Sequence, residues 1–150
     1  MKTKKLLLPP VYFLIALCLM AGLHHFFPVY RLIPAPYFNW GFVLVSLGGV
    51  INFSGVPLFV RNKTTIRPFK ESSSLITSGV YRFSRNPLYL GMTIILSGMA
   101  IFFGTATPFL VPLMFPFLII KQFISVEESM LTDRFGEEYI VYRKRVRRWI

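Results

Sequence analysis

Two short polar segments carry most of the chemistry in this chain. The first is Thr77-Ser78-Gly79-Val80-Tyr81-Arg82-Phe83-Ser84-Arg85-Asn86-Pro87-Leu88-Tyr89-Leu90-Gly91, which runs into an uncharged apolar block. Asn followed by Pro suits a helix start, because Asn caps well and Pro at the first helical position sacrifices no hydrogen bond. A helix N-terminus presents unpaired backbone N–H groups and the positive end of a dipole, and Arg85 adds a guanidinium beside them. The segment is therefore read as an anion site. Tyr89 and Gly91 fall in the first turn or so, where Gly91 permits close approach of a ligand or of a second helix. The second segment holds Glu127-Glu128, then Tyr139 and Tyr142. Adjacent residues on a helix point about 100° apart. One carboxylate is thus expected to face a pocket while the other pairs with an arginine. A plainer alternative is a solvated turn pairing with Arg134 or with Lys121, two helical turns before Glu128. Carboxylates at a membrane boundary are costly unless paired or functional. No metal centre is expected, since His24-His25 has no third ligand at suitable spacing.

Four apolar blocks must position these residues, at about residues 6–27, 37–60, 88–104 and 108–126. Each is near the length of about 20 residues that crosses a bilayer as a helix. The composition agrees: 54% hydrophobic and only 15% charged residues, yet a net charge of +11. So much aromatic and aliphatic surface excludes a disordered chain. Apolar residues in membrane-length blocks argue against a soluble nucleic-acid binder. The single cysteine, Cys18, forbids an internal disulfide. The first block follows a basic start, as a signal peptide would, but it is long, contains Pro9-Pro10 and lacks a small-residue cleavage site, so it is read as a span.

The basic residues decide the topology. Lys2, Lys4 and Lys5 precede the first block, and Arg31 alone separates the first from the second. Arg61, Lys63, Arg67, Lys70, Arg82 and Arg85 separate the second from the third. Lys121, Arg134, Arg143, Lys144, Arg145, Arg147 and Arg148 close the chain. With four spans, sixteen of the seventeen fall on one side, and the positive-inside rule makes that side cytoplasmic. The expectation is an all-α polytopic membrane protein. Residues 1–150 form one membrane domain with four transmembrane helices, both termini cytoplasmic and a cytoplasmic C-terminal helix within residues 127–150. The short link at residues 104–108 makes the last two spans a tight antiparallel hairpin. Gly48, Asn52 and Gly55 share one face of the second span, a pattern for close helix packing, or alternatively for lining a cavity. The basic run Arg143–Arg148 is read as an anchor for anionic lipids.

The sequence Ser-Arg-Asn-Pro-Leu-Tyr-Leu-Gly, followed one hairpin later by Glu-Glu-x-x-Leu-x-x-x-Phe-Gly-x-x-Tyr-x-x-Tyr-x-x-x-Val-x-Arg, resembles the isoprenylcysteine carboxyl methyltransferase family. It also resembles the wider group that includes the phospholipid methyltransferases. The resemblance covers about residues 79–149. It implies an integral membrane enzyme that uses S-adenosylmethionine, held between the last two spans and the C-terminal helix, and a lipophilic methyl acceptor drawn from the bilayer. Carried onto this sequence, it implies Arg85 and Asn86 as catalytic candidates. Tyr81, Arg85, Asn86, Pro87, Tyr89, Gly91, Glu127, Glu128, Tyr139 and Tyr142 become cofactor-binding candidates. The family pattern usually has His where Asn86 stands. Asn donates and accepts hydrogen bonds but cannot take up and release a proton as His can, which argues against acid–base work at that position.

Two other functional classes fit parts of the pattern. A membrane reductase of the sterol reductase type would use NADPH, but no dinucleotide fingerprint is present. A non-catalytic four-span protein, such as a proton-coupled transporter, would want an acidic residue deep in a span, and the first three blocks have none. The expected origin is a bacterial or archaeal cell membrane.

Overall fold

The computed structural model describes residues 8–64 and 72–150. Lys2, Lys4, Lys5, Arg67, Lys70 and Glu71, with the first residues of the first apolar block, lie outside the described residues. The order is α1 (Pro9–Phe26), α2 (Trp40–Arg61), α3 (Pro87–Phe103), α4 (Leu110–Ile119), α5 (Ser125–Phe135) and α6 (Glu137–Arg145). A π-helical turn, Ile120–Ile124, joins α4 to α5 without a break. Pro9 and Pro87 occupy first-turn positions of α1 and α3, where a missing N–H costs nothing.

Among the described residues, three helical stretches are long and apolar enough to cross a membrane: Pro9–Phe26, Tyr37–Arg61 and Thr107–Phe135. The fourth apolar helix, α3, is shorter at 17 residues. The last long helix also runs past residue 126, where the apolar block ends, so Glu127 and Glu128 lie inside a continuous helix.

Helix α3 is the centre of the bundle, packed on α2 along one side and on α1 and α4 along the other. Small residues at seven-residue spacing make the α2–α3 contact close. A Cβ added at Gly48 would lie 2.5 Å from Gly91 O, and one at Gly98 2.6 Å from Gly41 O. Seven residues are nearly two helical turns, so each helix presents its glycines on one face. On the other side Met20 of α1, Leu96 and Ala100 of α3, Phe115 and Ile119 of α4 and Phe123 of the π turn fill the main core.

The helix ends gather at two opposite poles. At one, Leu32 and Ile33 donate backbone N–H groups to Gly104 O (2.8 and 3.1 Å), and Ala106 N–H donates to Tyr30 O (2.8 Å). The His24 ring lies 2.9 Å from Thr105 Oγ1 and stacks on Phe103. At the other pole lie the start of α1, the end of α2, the start of α3, and α5 with α6. Gly136, at φ +50°, turns the chain sharply between α5 and α6 in a conformation that side chains disfavour. Helix α6 then packs Tyr139 and Tyr142, with Val146, against Leu131 and Phe135 of α5.

Candidate functional site

At the second pole these elements enclose a cavity of about 420 Å3. Its lining is graded. The start of α3 and α5 supply Arg85, Asn86, Tyr89, Glu127, Glu128 and Arg134. Helix α6 supplies Tyr139 and Tyr142, and the turn before α3 supplies Tyr81. The walls from α1, α2 and α3 are mostly apolar, with Pro10, Val56, Phe59, Leu88 and Met92, Asn52 of α2 being a polar exception. Thr64, Ser72 and Ser74 beyond α2 add hydroxyls.

The C-terminal residues brace the polar wall from behind, without lining the cavity themselves. After α6, Val146 returns to extended backbone, and residues 146–149 lie across the segment leading into α3. Arg147 O accepts the Arg85 N–H (3.0 Å). Arg148 O accepts Asn86 Nδ2 (3.1 Å) and Ser84 Oγ (3.3 Å), and Ser84 Oγ in turn accepts the Asn86 N–H (3.1 Å). Glu128 is buried between two guanidinium groups. Arg148 donates Nε to Oε1 (3.0 Å) and Nη2 to Oε2 (2.6 Å), and Arg85 Nη1 lies 3.0 Å from Oε1. Arg85 Nη1 also donates to Tyr139 Oη (3.2 Å). Tyr89 Oη donates to Glu127 Oε1 (2.7 Å), and Tyr142 Oη donates to Tyr81 O (2.7 Å). Burial raises the phenol pKa values of Tyr81, Tyr139 and Tyr142. The negative charges of Glu127 near Tyr81 and of Glu128 near Tyr139 add to the effect. These hydroxyls are neutral hydrogen-bonding groups at physiological pH.

Several sequence expectations are corrected here. Asn86 stands at the N-cap position of α3 but its side chain makes no cap; it reaches Arg148 O instead. The expected free N–H groups before α3 are partly used, those of Arg85 and Asn86 by Arg147 O and Ser84 Oγ. Glu128 does not pair with Lys121. The π turn between them adds a residue to the local turn, so seven residues no longer complete two turns, and Lys121 is exposed while Glu128 is buried. Gly91 meets α2, not the cavity: an added Cβ would run into the Asn52 side-chain amide and lie 2.8 Å from Gly48 O. Pro87 is fully buried and likewise lines no part of the cavity. Arg148 leaves the basic run to bind Glu128, while Arg143, Lys144, Arg145 and Arg147 stay exposed. Gly48, Asn52 and Gly55 all pack against α3, Asn52 on Gly91, and Asn52 also lines the cavity.

Sequence reasoning missed Arg148 and Ser84 as members of this network. The available signal was Val146 and Trp149, which interrupt the basic run with apolar residues and pull its backbone inward. Among the described residues two side-chain polar atoms are buried without a partner, Arg85 Nε and Asn52 Oδ1. No group of three potential metal ligands occurs among the described residues.

The chain is similar to known proteins over most of its length. Residues 37–138 match the family described as phospholipid methyltransferase. A protein-S-isoprenylcysteine O-methyltransferase from Schizosaccharomyces pombe is 27% identical over 144 residues, 86% of this chain and 60% of that protein. Protein-S-isoprenylcysteine O-methyltransferase A from Arabidopsis thaliana is 26% identical over 110 residues, 72% of this chain and 56% of that protein. The solved structure of the eukaryotic intramembrane Ras methyltransferase, isoprenylcysteine carboxyl methyltransferase, shares the fold. Its TM-score is 0.67 at 24% identity, covering 95% of this chain and 52% of that one. The chain therefore spans between about half and two thirds of the length of these relatives.

Proposed function

The chain belongs to the phospholipid methyltransferase family, and on that premise we propose that it is an S-adenosylmethionine-dependent methyltransferase acting on a lipophilic acceptor. It would be an integral membrane protein of four spans in a single domain, with α3 as the third span and 17 residues at the short end of the spanning range. The basic pole would face the cytoplasm with both termini. The observation that carries the reading is the graded cavity. Two polar segments far apart in sequence wall one side, and apolar helix faces wall the other.

The residues present fit the cofactor. A cavity of about 420 Å3 lies within the ~300–1,000 Å3 usual for small-molecule sites. Arg85 Nε is a buried donor without a described partner, suited to a carboxylate. Glu127 is engaged by Tyr89 through one oxygen, and the other is suited to ribose hydroxyls or an ammonium group. Tyr81, Tyr89, Tyr139 and Tyr142 offer aromatic surface for an adenine ring. When bound, the cofactor supplies an electrophilic methyl group on a sulfonium. The protein's task is then to hold donor and acceptor in line and to exclude water. Arg85 serves as binding residue and, through Glu128 and Tyr139, as a brace for the site. Asn86 acts as a positioning residue, since its amide tethers residues 146–149 and does not titrate. The acceptor would reach the site sideways from the bilayer along the apolar part of the lining, as an isoprenylated cysteine carboxylate or a phospholipid headgroup. The exposed Arg143, Lys144, Arg145 and Arg147 would rest on anionic lipid.

Calorimetry on the full chain in detergent micelles tests this reading. S-adenosylmethionine and its demethylated product are expected to bind and NADPH not to. Binding of NADPH alone would favour the reductase class, and binding of none of the three would overturn the proposal. Transfer of labelled methyl to phosphatidylethanolamine or to an isoprenylated cysteine would identify the acceptor.

A further inference from the structure

Helix α6 also borders a second cleft, of about 470 Å3, which the site above does not use. One wall is a stripe of α6. Glu138, Val141, Tyr142 and Arg145 are spaced i, i+3, i+4 and i+7, and so share one helical face. Thr77 and Arg82, before and at the end of the turn that starts at Gly79, form the other wall. Tyr142 is the one lining residue that the cleft shares with the cavity. Its hydroxyl donates to Tyr81 O (2.7 Å), which joins α6 to that turn.

The charges in this cleft are unmatched. Arg82 and Arg145 come from different elements and are exposed, and among the described residues neither they nor Glu138 make an ion pair. Two guanidinium groups and one carboxylate leave a single net positive charge facing a shared space. Guanidinium forks match phosphate oxygens in geometry as well as in charge. Glu138 can only accept, so a complementary occupant also offers a donor. Apolar side chains adjoin the charges. Val141 is exposed at the cleft, Phe83 is exposed directly after Arg82, and the apolar helix α3 begins at Pro87. A free phosphate has no use for that surface, whereas a phospholipid at the membrane interface does. We propose that the cleft holds the head of an anionic phospholipid. Arg82 and Arg145 bind its phosphodiester, Thr77 donates to a phosphate oxygen, and Glu138 accepts from a headgroup hydroxyl. One phosphodiester neutralises the cleft, and a head of the phosphoglycerol type supplies the hydroxyl. The site is independent of the methyltransferase reading, because neither arginine lines the cavity. It also differs from diffuse anchoring by the basic run, since Arg143, Lys144 and Arg147 lie outside the cleft.

Calorimetric titration of the full chain in detergent micelles tests this, with dioctanoyl phosphatidylglycerol as the probe. The wild type is expected to bind it saturably. Arg82→Gln and Arg145→Gln are each expected to weaken binding about tenfold, the effect of a hydrogen bond to a charged group. Lys144→Gln and Arg147→Gln remove the same charge outside the cleft and are expected to weaken it by less than about twofold. Dioctanoyl phosphatidylmethanol has the same charge without the hydroxyls. The wild type is expected to bind it about fivefold more weakly, and Glu138→Ala to bind the two lipids alike. Equal losses in all four charge variants would overturn the proposal, because the attraction would then belong to the basic surface as a whole. So would a lipid preference that survives Glu138→Ala. Inorganic phosphate binding as tightly as the lipid would overturn it in favour of a soluble anion. A loss of binding in Arg82→Gln and Arg145→Gln that comes with a lower unfolding midpoint in lipid-free micelles would also overturn it, since the arginines would then serve folding.

Discussion

Arg148 grips Glu128 with two parallel contacts, Nε to Oε1 at 3.0 Å and Nη2 to Oε2 at 2.6 Å, across 20 residues of sequence. Arg85 shares Oε1 at 3.0 Å. One carboxylate on α5 thus ties together the entry to α3 and the C-terminal residues. Because the backbone of residues 147 and 148 also binds residues 84–86, side-chain and main-chain contacts hold the same wall of the cavity.

Glu128→Gln should therefore loosen the pole and not only alter a charge. The pair is half-buried, with side-chain exposures of 36% for Arg148 and 10% for Glu128. The expected loss lies between the ~1 kcal/mol of an exposed pair and the ~3–5 kcal/mol of a fully buried one broken on one side. Arg148→Lys should lose part of this, because an ammonium cannot reproduce the two-pronged contact. Thermal unfolding in detergent checks both variants, and midpoints equal to wild type would show that the network is not structural.

The sequence showed the helices more readily than the site. Uncharged blocks and alternating basic segments locate α1 to α4, because the bilayer-length rule and the positive-inside rule act on composition alone. Arg85 and Glu128 were marked as candidates by their positions beside apolar blocks, but their mutual contact was not legible. It depends on the π turn, which shifts the facing of α5, and on Gly136, which folds α6 back. Neither leaves a periodic signal. Arg148 looked like one more residue of a solvated basic run. Its inward turn follows from Val146 and Trp149 joining two different apolar clusters. Helical spacing groups Asn52 with Gly48 and Gly55, and all three meet α3.

Tyr89→Phe should distinguish binding from folding. It removes the donor to Glu127 Oε1 at 2.7 Å while leaving the ring against Phe123. A hydrogen bond to a charged group is worth about 1.5–3 kcal/mol. If Glu127 holds cofactor in the geometry Tyr89 fixes, affinity for S-adenosylhomocysteine should fall roughly tenfold or more. Tyr142→Phe, which loses its bond to Tyr81 O, should lower stability by about 1 kcal/mol with a smaller effect on affinity. Calorimetric titration of both variants gives the comparison, and equal affinities would remove Tyr89 from the site.

The glycines of the α2–α3 face should be far less tolerant than those facing outward. Gly48→Ala would put a Cβ 2.5 Å from Gly91 O and 2.7 Å from Ile95 Cγ1, so the helices must separate. Overpacking of this kind costs about 1–3 kcal/mol. Gly49→Ala and Gly22→Ala meet nothing within 4 Å and should be neutral, or stabilising by up to about 1 kcal/mol through helix propensity. Unfolding midpoints of the three variants measured side by side would test the packing, and a Gly48→Ala midpoint at or above that of Gly49→Ala would contradict it.

Alkaline pH should attack the α6 side of the cavity first. Burial, with the charge of Glu128 beside Tyr139, raises the phenol pKa of Tyr139, and burial likewise raises that of Tyr142. A raised pKa in the folded state means that folding favours the protonated form. The stabilisation is therefore complete below the ordinary tyrosine value of about 10 and is lost as pH climbs through the folded value. Tyr139→Phe cannot ionise, so its stability should fall less between about pH 9 and 12, even though it gives up the contact with Arg85. Unfolding midpoints across that range, with phenolate absorbance followed in parallel, measure the difference. A pH dependence identical to wild type would show that Tyr139 does not govern the alkaline limit.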